Sequence, residues 1–473
     1  MEGHLDLFGV NNADLDKVIA GACRRGASYS DIYLEDFSSS YFILRDSAVA
    51  QCGSGRLYGA GIRALCGEKT GYASCESTAL PDLLKAADTA GTIADGAGDA
   101  SVRIQPTAKS GNRDFYPVKT AWESVPNEEY TSALYALEAA LKSKDSRILK
   151  VIAELRYSVE KVTMYNSFGE LTSDTRPTGR MSATIIFGDG RGGTLSLSCG
   201  RSWKCGFEMI GPGLVEELVG KLTGGIDNAT AARRPRGGRM NVVLGAGASG
   251  ILLHEAMGHS FEADFNRKGQ SIFSDKMGRQ VCPKGINIVD DATVPGNRGS
   301  LNVDDEGVPG QKTYMVTDGI LTSYLHDRIS AAHYGVAPTG NGRRESFEYN
   351  PIPRMRLTYM ENGDAKLEDM IALAKNGIYV DEFSNGQVKI GEGDFTFFVK
   401  SGFLIENGRL TMPIKDVNVI GNGPEALRDI RAVGNDLKID NGCWTCGKEQ
   451  SVSVGCGMPS VFIEGLTVGG RQD

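Results

Sequence analysis

The stretch Leu253-His254-Glu255-Ala256-Met257-Gly258-His259-Ser260 holds two histidines five positions apart, with a glutamate directly after the first. The chain has five histidines in all (His4, His254, His259, His326 and His333), so two of them fall in this one segment. The apolar residues around the pair predict a buried helix. A histidine followed by glutamate, with a second histidine nearby, is the pattern that can hold a zinc ion and the base that activates its water.

The five-residue spacing requires a distorted helix. Residues i and i+4 of an ideal α-helix face the same way, whereas residues i and i+5 point about 140° apart. His254 and His259 can share one ion only if a π-type turn closes most of that gap, and such turns concentrate at functional sites. Gly258 stands just before the second histidine, where a distortion costs least.

A catalytic zinc site needs three protein ligands and one open position, so a third donor has to come from elsewhere in the chain. The candidates are Glu262, Asp264, His326, His333 or a distant cysteine. The segment Gly442-Cys443-Trp444-Thr445-Cys446-Gly447-Lys448 carries two thiols in a glycine-flanked turn, and thiolate is a good zinc ligand. From the residues alone, the two histidines are either metal ligands or ordinary core residues.

Composition sets limits on the kind of protein. A chain of 473 residues with 41% hydrophobic and 23% charged residues is an ordinary globular protein of two or three domains. The formal net charge of −8 argues against a broad nucleic-acid-binding surface. No apolar run approaches the ~18 residues of a membrane helix. The ten scattered cysteines are typical of free thiols, so we expect a cytoplasmic protein with no direct nucleic-acid or membrane contact.

The hydrophobic patterns predict an α+β fold in three segments. Residues 1–110 form an N-terminal α+β domain with a mixed or antiparallel sheet, and residues 111–232 form a central strand meander with flanking helices. A basic, breaker-rich connector over 231–238 precedes the third segment. Residues 233–473 then form a β-rich catalytic domain that carries the metal-binding helix.

Several predicted strands are short. Residues 30–36, 41–45, 151–157 and 161–166 are each a separate stretch that alternates between apolar and polar side chains. Helices are predicted over 80–94, where apolar residues recur at helical spacing.

A glycine-rich loop favours a different enzyme class. Gly245-Ala246-Gly247-Ala248-Ser249-Gly250 matches G-x-G-x-x-G between a predicted strand and a helix, so an NAD-dependent oxidoreductase is an alternative. Against it, no strand-borne acid follows ~20 residues on, because Asp264 falls on or just past the same helix. A redox role for Cys443-x-x-Cys446 lacks the surrounding βαβ pattern of thioredoxins.

Three charged runs are interpreted as exposed segments. Asp290-Asp291 and Asp304-Asp305-Glu306 lack the spaced ligands of an EF-hand, and surface turns explain them better. Arg343-Arg344-Glu345 is either a solvated loop or, together with His326, a source of the donor that stabilises an oxyanion.

Several long segments carry a resemblance to a known family. HEAMGHSFEADFNRKGQSIFS (254–274), NRGSLNVDDEGVPGQ (297–311), GVAPTGNGRRES (335–346), CGK (446–448) and LTVGG (466–470) resemble, in that order, the TldD family of metallopeptidases. The resemblance implies one zinc ion per catalytic chain, bound by His254, His259 and Cys446, with Glu255 as the catalytic base. Cys443 stays the alternative third ligand. This chain continues with Glu449 and Gln450 where the family has one more residue, and that departure falls after Cys446.

The resemblance also implies partners. The family pairs a zinc-bearing subunit with a TldE (PmbA) subunit that lacks the motif, and some relatives are homodimers. Such a dimer encloses a cavity that admits short or unfolded peptides as substrates. Links of the family to a gyrase-directed peptide and to an antitoxin leave a third alternative, a non-catalytic interaction protein, against which the intact His-Glu-His set argues.

Overall fold

The computed structural model describes residues 2–95, 103–107 and 113–470. The predicted boundary between the first two domains, at residues 110 and 111, lies outside the described residues. The division into 1–110, 111–232 and 233–473 therefore stays a prediction.

Helices are distributed along the whole described chain. The α-helices are α1 (Glu2–Phe8), α2 (Asn12–Cys23), α3 (Leu80–Ala94), α4 (Asn127–Lys144), α5 (Pro212–Gly224), α6 (Ile226–Ala231), α7 (Ile251–Leu253), α8 (Ala263–Arg267), α9 (Arg328–Tyr334), α10 (Leu367–Ala374) and α11 (Gly423–Arg428). Short 3-10 turns cover Trp122–Ser124, Phe207–Met209, Ala248–Gly250 and His259–Phe261, and a π turn covers His254–Gly258. The helix predicted over 80–94 is confirmed as α3.

Strands dominate the rest of the chain. They are β1 (Tyr29–Arg45), β2 (Ala48–Cys66), β3 (Lys69–Cys75), β4 (Ile148–Asn166), β5 (Leu171–Gly188), β6 (Thr194–Trp203), β7 (Gly238–Leu244), β8 (Ile288–Asp291), β9 (Lys312–Thr317), β10 (Ile320–Leu321), β11 (Gly342–Arg343), β12 (Ile352–Pro353), β13 (Leu357–Met360), β14 (Gly377–Val388), β15 (Asp394–Glu406), β16 (Arg409–Pro413), β17 (Asn418–Asn422), β18 (Ile430–Val433), β19 (Lys438–Asp440), β20 (Thr445–Lys448), β21 (Gln450–Ser453), β22 (Gly455–Met458) and β23 (Val461–Gly469). The predicted α+β fold is confirmed.

The N-terminal sheet is one antiparallel sheet with the strand order β3-β2-β1-β4-β5-β6. Even-numbered residues of β1 pack under helices, Ile32 and Leu34 in the cluster with α2 and α3, and Phe42 and Leu44 in the cluster with α4 and α5. Because side chains alternate along a strand, the odd-numbered residues form the opposite face, which turns toward the C-terminal part. The sheet thus has one helix-covered face and one that meets the domain of the His-Glu-His segment.

The prediction of separate short strands was wrong, because the stretches join into longer strands. Residues 30–36 and 41–45 belong to the single 17-residue strand β1, and residues 151–157 and 161–166 belong to the single 19-residue strand β4. The serines that interrupt the apolar alternation of β1 are strand residues, and Ser39 faces a polar cavity. Polar side chains at these positions face the polar cavity, so the strand continues through them.

Five C-terminal strands form a closed barrel. The pairing runs β14-β7-β23-β17-β15 and returns from β15 to β14, so no strand of the ring has a free edge there. A second sheet runs β10-β9-β8-β13-β22-β19, and β20 and β21 form a separate hairpin. The segment of α7 and the following π turn packs against β13, β14 and α11. The two histidines are therefore carried by the centre of the domain.

None of the helices in the described ranges is long and apolar enough to cross a membrane. Among the described residues, the cysteines form no disulfide.

The acidic runs are buried, so their interpretation as surface turns was wrong. Asp290, Asp304, Asp305 and Glu306 are at most 4% exposed. Three of them pair with arginines that are distant in sequence: Arg356 Nε lies 2.7 Å from Asp290 Oδ1, Arg176 Nη1 lies 2.6 Å from Asp305 Oδ1, and Arg63 Nη2 lies 2.7 Å from Glu306 Oε1. Asp304 instead accepts from main-chain amides. Since Arg63 and Arg176 belong to the N-terminal sheet, these ion pairs join the sheet to the C-terminal part.

We predict that Arg63→Met lowers the free energy of unfolding by about 3–5 kcal/mol, because it leaves the Asp31 and Glu306 carboxylates buried without their counter-charge. Denaturant unfolding followed by tryptophan fluorescence measures the loss. Arg56→Met is the matched control: Arg56 also pairs with an aspartate, Asp36, but its side chain is 62% exposed, so its loss should change little. Equal stabilities of the two variants would contradict the prediction.

Candidate metal centre

The predicted distortion of the His-Glu-His helix is present. After α7 the chain forms a π turn over His254–Gly258, which adds one residue to the turn. The two imidazole rings therefore lie on the same side, with their centroids 5.0 Å apart. Gly258 is packed tightly, since a Cβ there would stand 2.1 Å from Sδ of Met355. The absence of a side chain at 258 lets the π turn lie against β13 and its preceding loop.

The hairpin of β20 and β21 brings a thiol to the two rings. Sγ of Cys446 lies 3.3 Å from Nε2 of His259. One donor atom from each of His254, His259 and Cys446 lies within 4.8 Å of the others, and the three residues are 1%, 5% and 4% exposed. The hairpin turns at Glu449, whose φ is +56°, so the departure from the family pattern falls on the turn that follows Cys446.

The charge state of Cys446 suits metal binding. Burial on its own raises the pKa of this thiol, but the His254 and His259 rings outweigh it and lower the pKa of Cys446 to about 4. The sulfur is therefore a thiolate at neutral pH, and thiolate is the form that binds metals.

His254 is the residue that most needs a further partner. Both of its ring nitrogens are buried, and neither has a hydrogen-bond partner within the described part of the chain. A buried polar group without a partner costs free energy. A cation bound between the rings would satisfy one nitrogen, and two imidazoles with a thiolate are a donor set that fits Zn²⁺.

A layer of ionic contacts orients His259. Its Nδ1 lies 2.9 Å from Oε2 of Glu262, which directs Nε2 toward Cys446. Nζ of Lys448 lies 3.1 Å from Glu262 and 2.8 Å from Asp264. Burial raises the pKa of Glu262, but Lys448 and His259 overcome this and bring it to about 2. Glu262 thus holds a histidine in place, as carboxylates do behind metal-binding imidazoles.

Sequence reasoning missed the contribution of Lys448, although a signal for it exists. Residues two apart on a strand share a face, so Cys446 and Lys448 both point inward from β20. Arg354, which donates to the Cys446 carbonyl at 2.7 Å, comes from another part of the chain and has no such signal.

The other candidate third ligands lie apart from this cluster or have other partners. Sγ of Cys443 packs beside Gly200 of β6, where a Cβ would be 3.0 Å away. His326 is buried in a separate place, and burial lowers its pKa to about 4. His333 bonds to Glu68. Among the described residues, the three-donor cluster contains only His254, His259 and Cys446.

Arg343 and Arg344 are buried, at 7% and 5% exposure, so the solvated-loop interpretation was wrong. Arg343 donates to the Met355 carbonyl at 2.6 Å, and Arg344 donates to the Asp305 carbonyl at 3.0 Å. Their role as oxyanion donors stays a prediction.

The glycine-rich loop is explained by close packing. A Cβ at Gly245 would stand 2.3 Å from Oη of Tyr379, and one at Gly250 would stand 2.7 Å from the backbone of Gly457. The loop follows β7, which pairs antiparallel with β23 and parallel with β14 inside a closed barrel. A closed mixed barrel differs from the open, mostly parallel sheet in which dinucleotide-binding βαβ units occur.

Glu255 borders the cluster. Its Oε2 lies 4.0 Å from Nε2 of His259, and its side chain is 19% exposed against 6% for His259. Burial raises the pKa of Glu255, and the neighbouring histidines oppose that rise. Glu255 is therefore the member of the group that approaching molecules can reach.

Comparisons with known proteins cover nearly the whole chain. Residues 30–94 match PmbA/TldA metallopeptidase domain 1, residues 121–219 match the central domain of these proteins, and residues 237–470 match their C-terminal domain. A "Metalloprotease TldD homolog" of Buchnera aphidicola is 36% identical over 99% of this chain and 98% of its own length. One of Haemophilus influenzae is 37% identical over 95% and 94%.

A solved structure supports the fold. The crystal structure of TldE from Thermococcus kodakarensis superposes with a TM-score of 0.76 over 97% of this chain and all of that one. The two sequences are 17% identical, so this likeness bears on the fold alone.

We predict that Gly258→Ala costs about 1–3 kcal/mol of stability, because the new methyl group overlaps the fully buried Met355 side chain. Gly220→Ala is the control: Gly220 lies inside α5 with no atom near the added methyl, so that variant should be as stable as the wild type or more stable. Thermal unfolding of both proteins tests this. A Gly258→Ala protein as stable as Gly220→Ala would show that the π turn is not packed as described.

Proposed function

The chain belongs to the PmbA/TldD family of metallopeptidases, and from that premise we propose that it is a zinc peptidase of the HExxxH type acting on short or unfolded peptides. The observation that carries the proposal is the meeting of His254, His259 and Cys446 beside Glu255. His254 begins the π turn, His259 directly follows it, and the thiol comes from a hairpin some 190 positions away, so the fold and not sequence proximity brings the thiol to the histidines.

The proposed zinc ligands are one ring nitrogen each of His254 and His259 and the thiolate of Cys446. We propose one ion per chain. Three protein ligands leave the fourth position open, as in catalytic sites. A bound zinc ion would supply a Lewis acid for the scissile carbonyl and lower the pKa of a water molecule to about 7.

Glu255 is the proposed general base. It is the exposed member of the group, and a pKa raised by burial brings a carboxylate closer to the range in which proton transfer is efficient. Glu255 removes a proton from the attacking water and then delivers a proton to the nitrogen of the departing amine. The peptide bond and one water molecule become a carboxylic acid and an amine.

The hairpin supports a way to bind extended peptides. β20 and β21 pair only with each other among the described strands, so each has an outer edge with no described strand beside it, although the Cys446 carbonyl already accepts from Arg354. A peptide added there as a further strand would be held through its backbone, with weak dependence on its sequence.

We also propose that a TldE/PmbA-like subunit or a second copy of this chain completes the peptide chamber. The fold shared with a TldE structure supports a partner of this shape. The absence of disulfides among the described cysteines supports work in the reducing cytoplasm.

We expect Glu255→Gln to lower kcat for peptide cleavage by about 10²–10⁴-fold, because the amide cannot accept the proton. The variant should keep the metal content of the wild type, since Glu255 is not a proposed ligand. Steady-state cleavage of a fluorogenic peptide and elemental analysis of the same preparation give the two readings. Wild-type kcat in the variant would remove Glu255 from the chemistry.

Metal content distinguishes the two cysteines. Zinc measured by mass spectrometry should be close to one per chain in the wild type and in Cys443→Ala, and clearly lower in Cys446→Ala. Cys443 is a matched control because it is the same residue type three positions away, with its sulfur against Gly200. Equal zinc in Cys446→Ala and wild type would move the third ligand elsewhere.

A further inference from the structure

A cavity of about 340 Å³ lies between the N-terminal sheet and the C-terminal part of the chain. Its floor is the odd-numbered face of β1 with the neighbouring face of β4 and β5, and its roof includes Arg298, Arg343 and residues 451–453. Cations outnumber acids on its walls, with seven arginine or lysine side chains against four carboxyl groups. We call it the cationic cavity.

Three of these cations are buried without a carboxylate partner. Lys204, Arg298 and Arg343 are 5%, 8% and 7% exposed, and none makes a salt bridge with any described residue. Arg343 donates to a main-chain carbonyl, and Arg298 donates to the Trp444 carbonyl at 3.1 Å. Nζ of Lys204 lies over the Tyr116 ring at 5.1 Å.

A fourth cation of the cavity also lacks a carboxylate partner. Arg180 is partly exposed, lines the cavity from β5 and forms no salt bridge within the described residues, and its Nε atom is buried without a hydrogen-bond partner. Buried cations are costly unless an anion compensates them. Burial and the nearby Arg176 and Arg343 lower the pKa of Lys204 to about 7, which expresses the same cost.

The acids of the cavity do not supply that anion. Glu160 and Asp305 are engaged by Arg176, at 3.3 and 2.6 Å. Glu35 accepts from the Phe347 amide, and burial followed by the nearby Glu160 raises its pKa to about 9, so it is uncharged at neutral pH. Glu345 is exposed at the rim and accepts from the amide of Ser451 at 2.6 Å. The cavity keeps a net positive charge.

The cavity adjoins the candidate metal centre through one hairpin. Val452 lines the cavity and is the residue directly opposite Cys446 in the β20–β21 pair. Directly opposite Cβ atoms are about 5 Å apart. An extended peptide advances ~3.3 Å per residue, so a chain lying at the metal centre reaches the cavity within a few residues.

We propose that the cationic cavity binds a carboxylate of the peptide substrate, either its C-terminal α-carboxylate or an acidic side chain. The proposal rests on the peptidase function proposed above, because the anion that a peptide substrate carries is a carboxylate. Arginine recognises carboxylates through paired N–H donors, and lysine adds a point charge. The cavity would thereby favour peptides that carry a carboxylate at a suitable distance from the cleavage position. It would also fix how far such a peptide extends past that position.

Binding is tested on zinc-loaded Glu255→Gln protein, which holds peptides without turnover, by fluorescence anisotropy. The probes are one labelled uncharged peptide with a free C-terminus, the same peptide amidated, and the amidated peptide with one glutamate. We expect the free acid, the glutamate peptide or both to bind at least about tenfold more tightly than the plain amide, and the tighter one identifies the source of the carboxylate. Equal affinity for all three would overturn the proposal.

Single substitutions test which residues cause the difference in affinity between the acid and amide peptides. Adding Lys204→Met or Arg180→Met should bring the affinity ratio close to one. Adding Lys150→Met should leave the ratio unchanged, because Lys150 also lies on the N-terminal sheet but is 61% exposed and outside the cavity. A ratio that survives both cavity substitutions would place carboxylate recognition elsewhere.

Stability separates a binding role from a structural one. Removing a buried cation that lacks a partner should leave thermal unfolding of the ligand-free protein unchanged or shift it upward. Marked destabilisation by both Lys204→Met and Arg180→Met would overturn the proposal, because these cations would then serve the fold.

Wild-type kinetics separate this proposal from the proposed function. Wild-type enzyme that cleaves the acid and amide peptides with equal KM would refute the carboxylate site and leave the peptidase intact. Wild-type enzyme that binds the acid peptide selectively but cleaves no peptide would refute the peptidase.

Discussion

A charge taken out of water needs an opposite charge close by, and this requirement determines how the two parts of the molecule join. Arg63 and Arg176 leave the N-terminal sheet to meet Glu306 and Asp305 of the C-terminal part. Such contacts are directional, so they fix the sheet at one position relative to the barrel. These ion pairs therefore determine the shape of the cationic cavity between the two parts. They also determine the distance from the sheet to the candidate metal centre.

Two groups of buried polar atoms depart from this rule. The nitrogens of His254 lack hydrogen-bond partners among the described residues, and Lys204, Arg298 and Arg343 lack carboxylates there. Both groups lie next to the hairpin that carries Cys446. His254 belongs to the candidate metal centre at Cys446, and the three cations line the cavity together with residues 451–453. The first needs a cation and the second an anion, which is the combination expected where a metal and a charged substrate meet.

Local patterns predicted what depends on local geometry. The five-residue spacing of His254 and His259 predicted the π turn, and helical periodicity predicted α3. The choice between Cys443 and Cys446 was left open by the residues, because it depends on where β20 begins and which face it turns inward. The burial of Asp305 and Glu306 could not be predicted, since the matching arginines of the N-terminal sheet lie more than a hundred positions away.

The π turn is held from two sides by positions that have no side chain. A Cβ at Gly258 would meet Sδ of Met355 at 2.1 Å, and one at Gly423 would meet the Ala256 carbonyl at 2.2 Å. The helix therefore cannot shift along or away from its neighbours to restore regular hydrogen bonding. Close packing against α11 and the residues before β13 offsets the cost of the irregular turn, as in other sites where backbone distortion persists. The alignment of His254 with His259 thus follows from how the chain packs around the π turn.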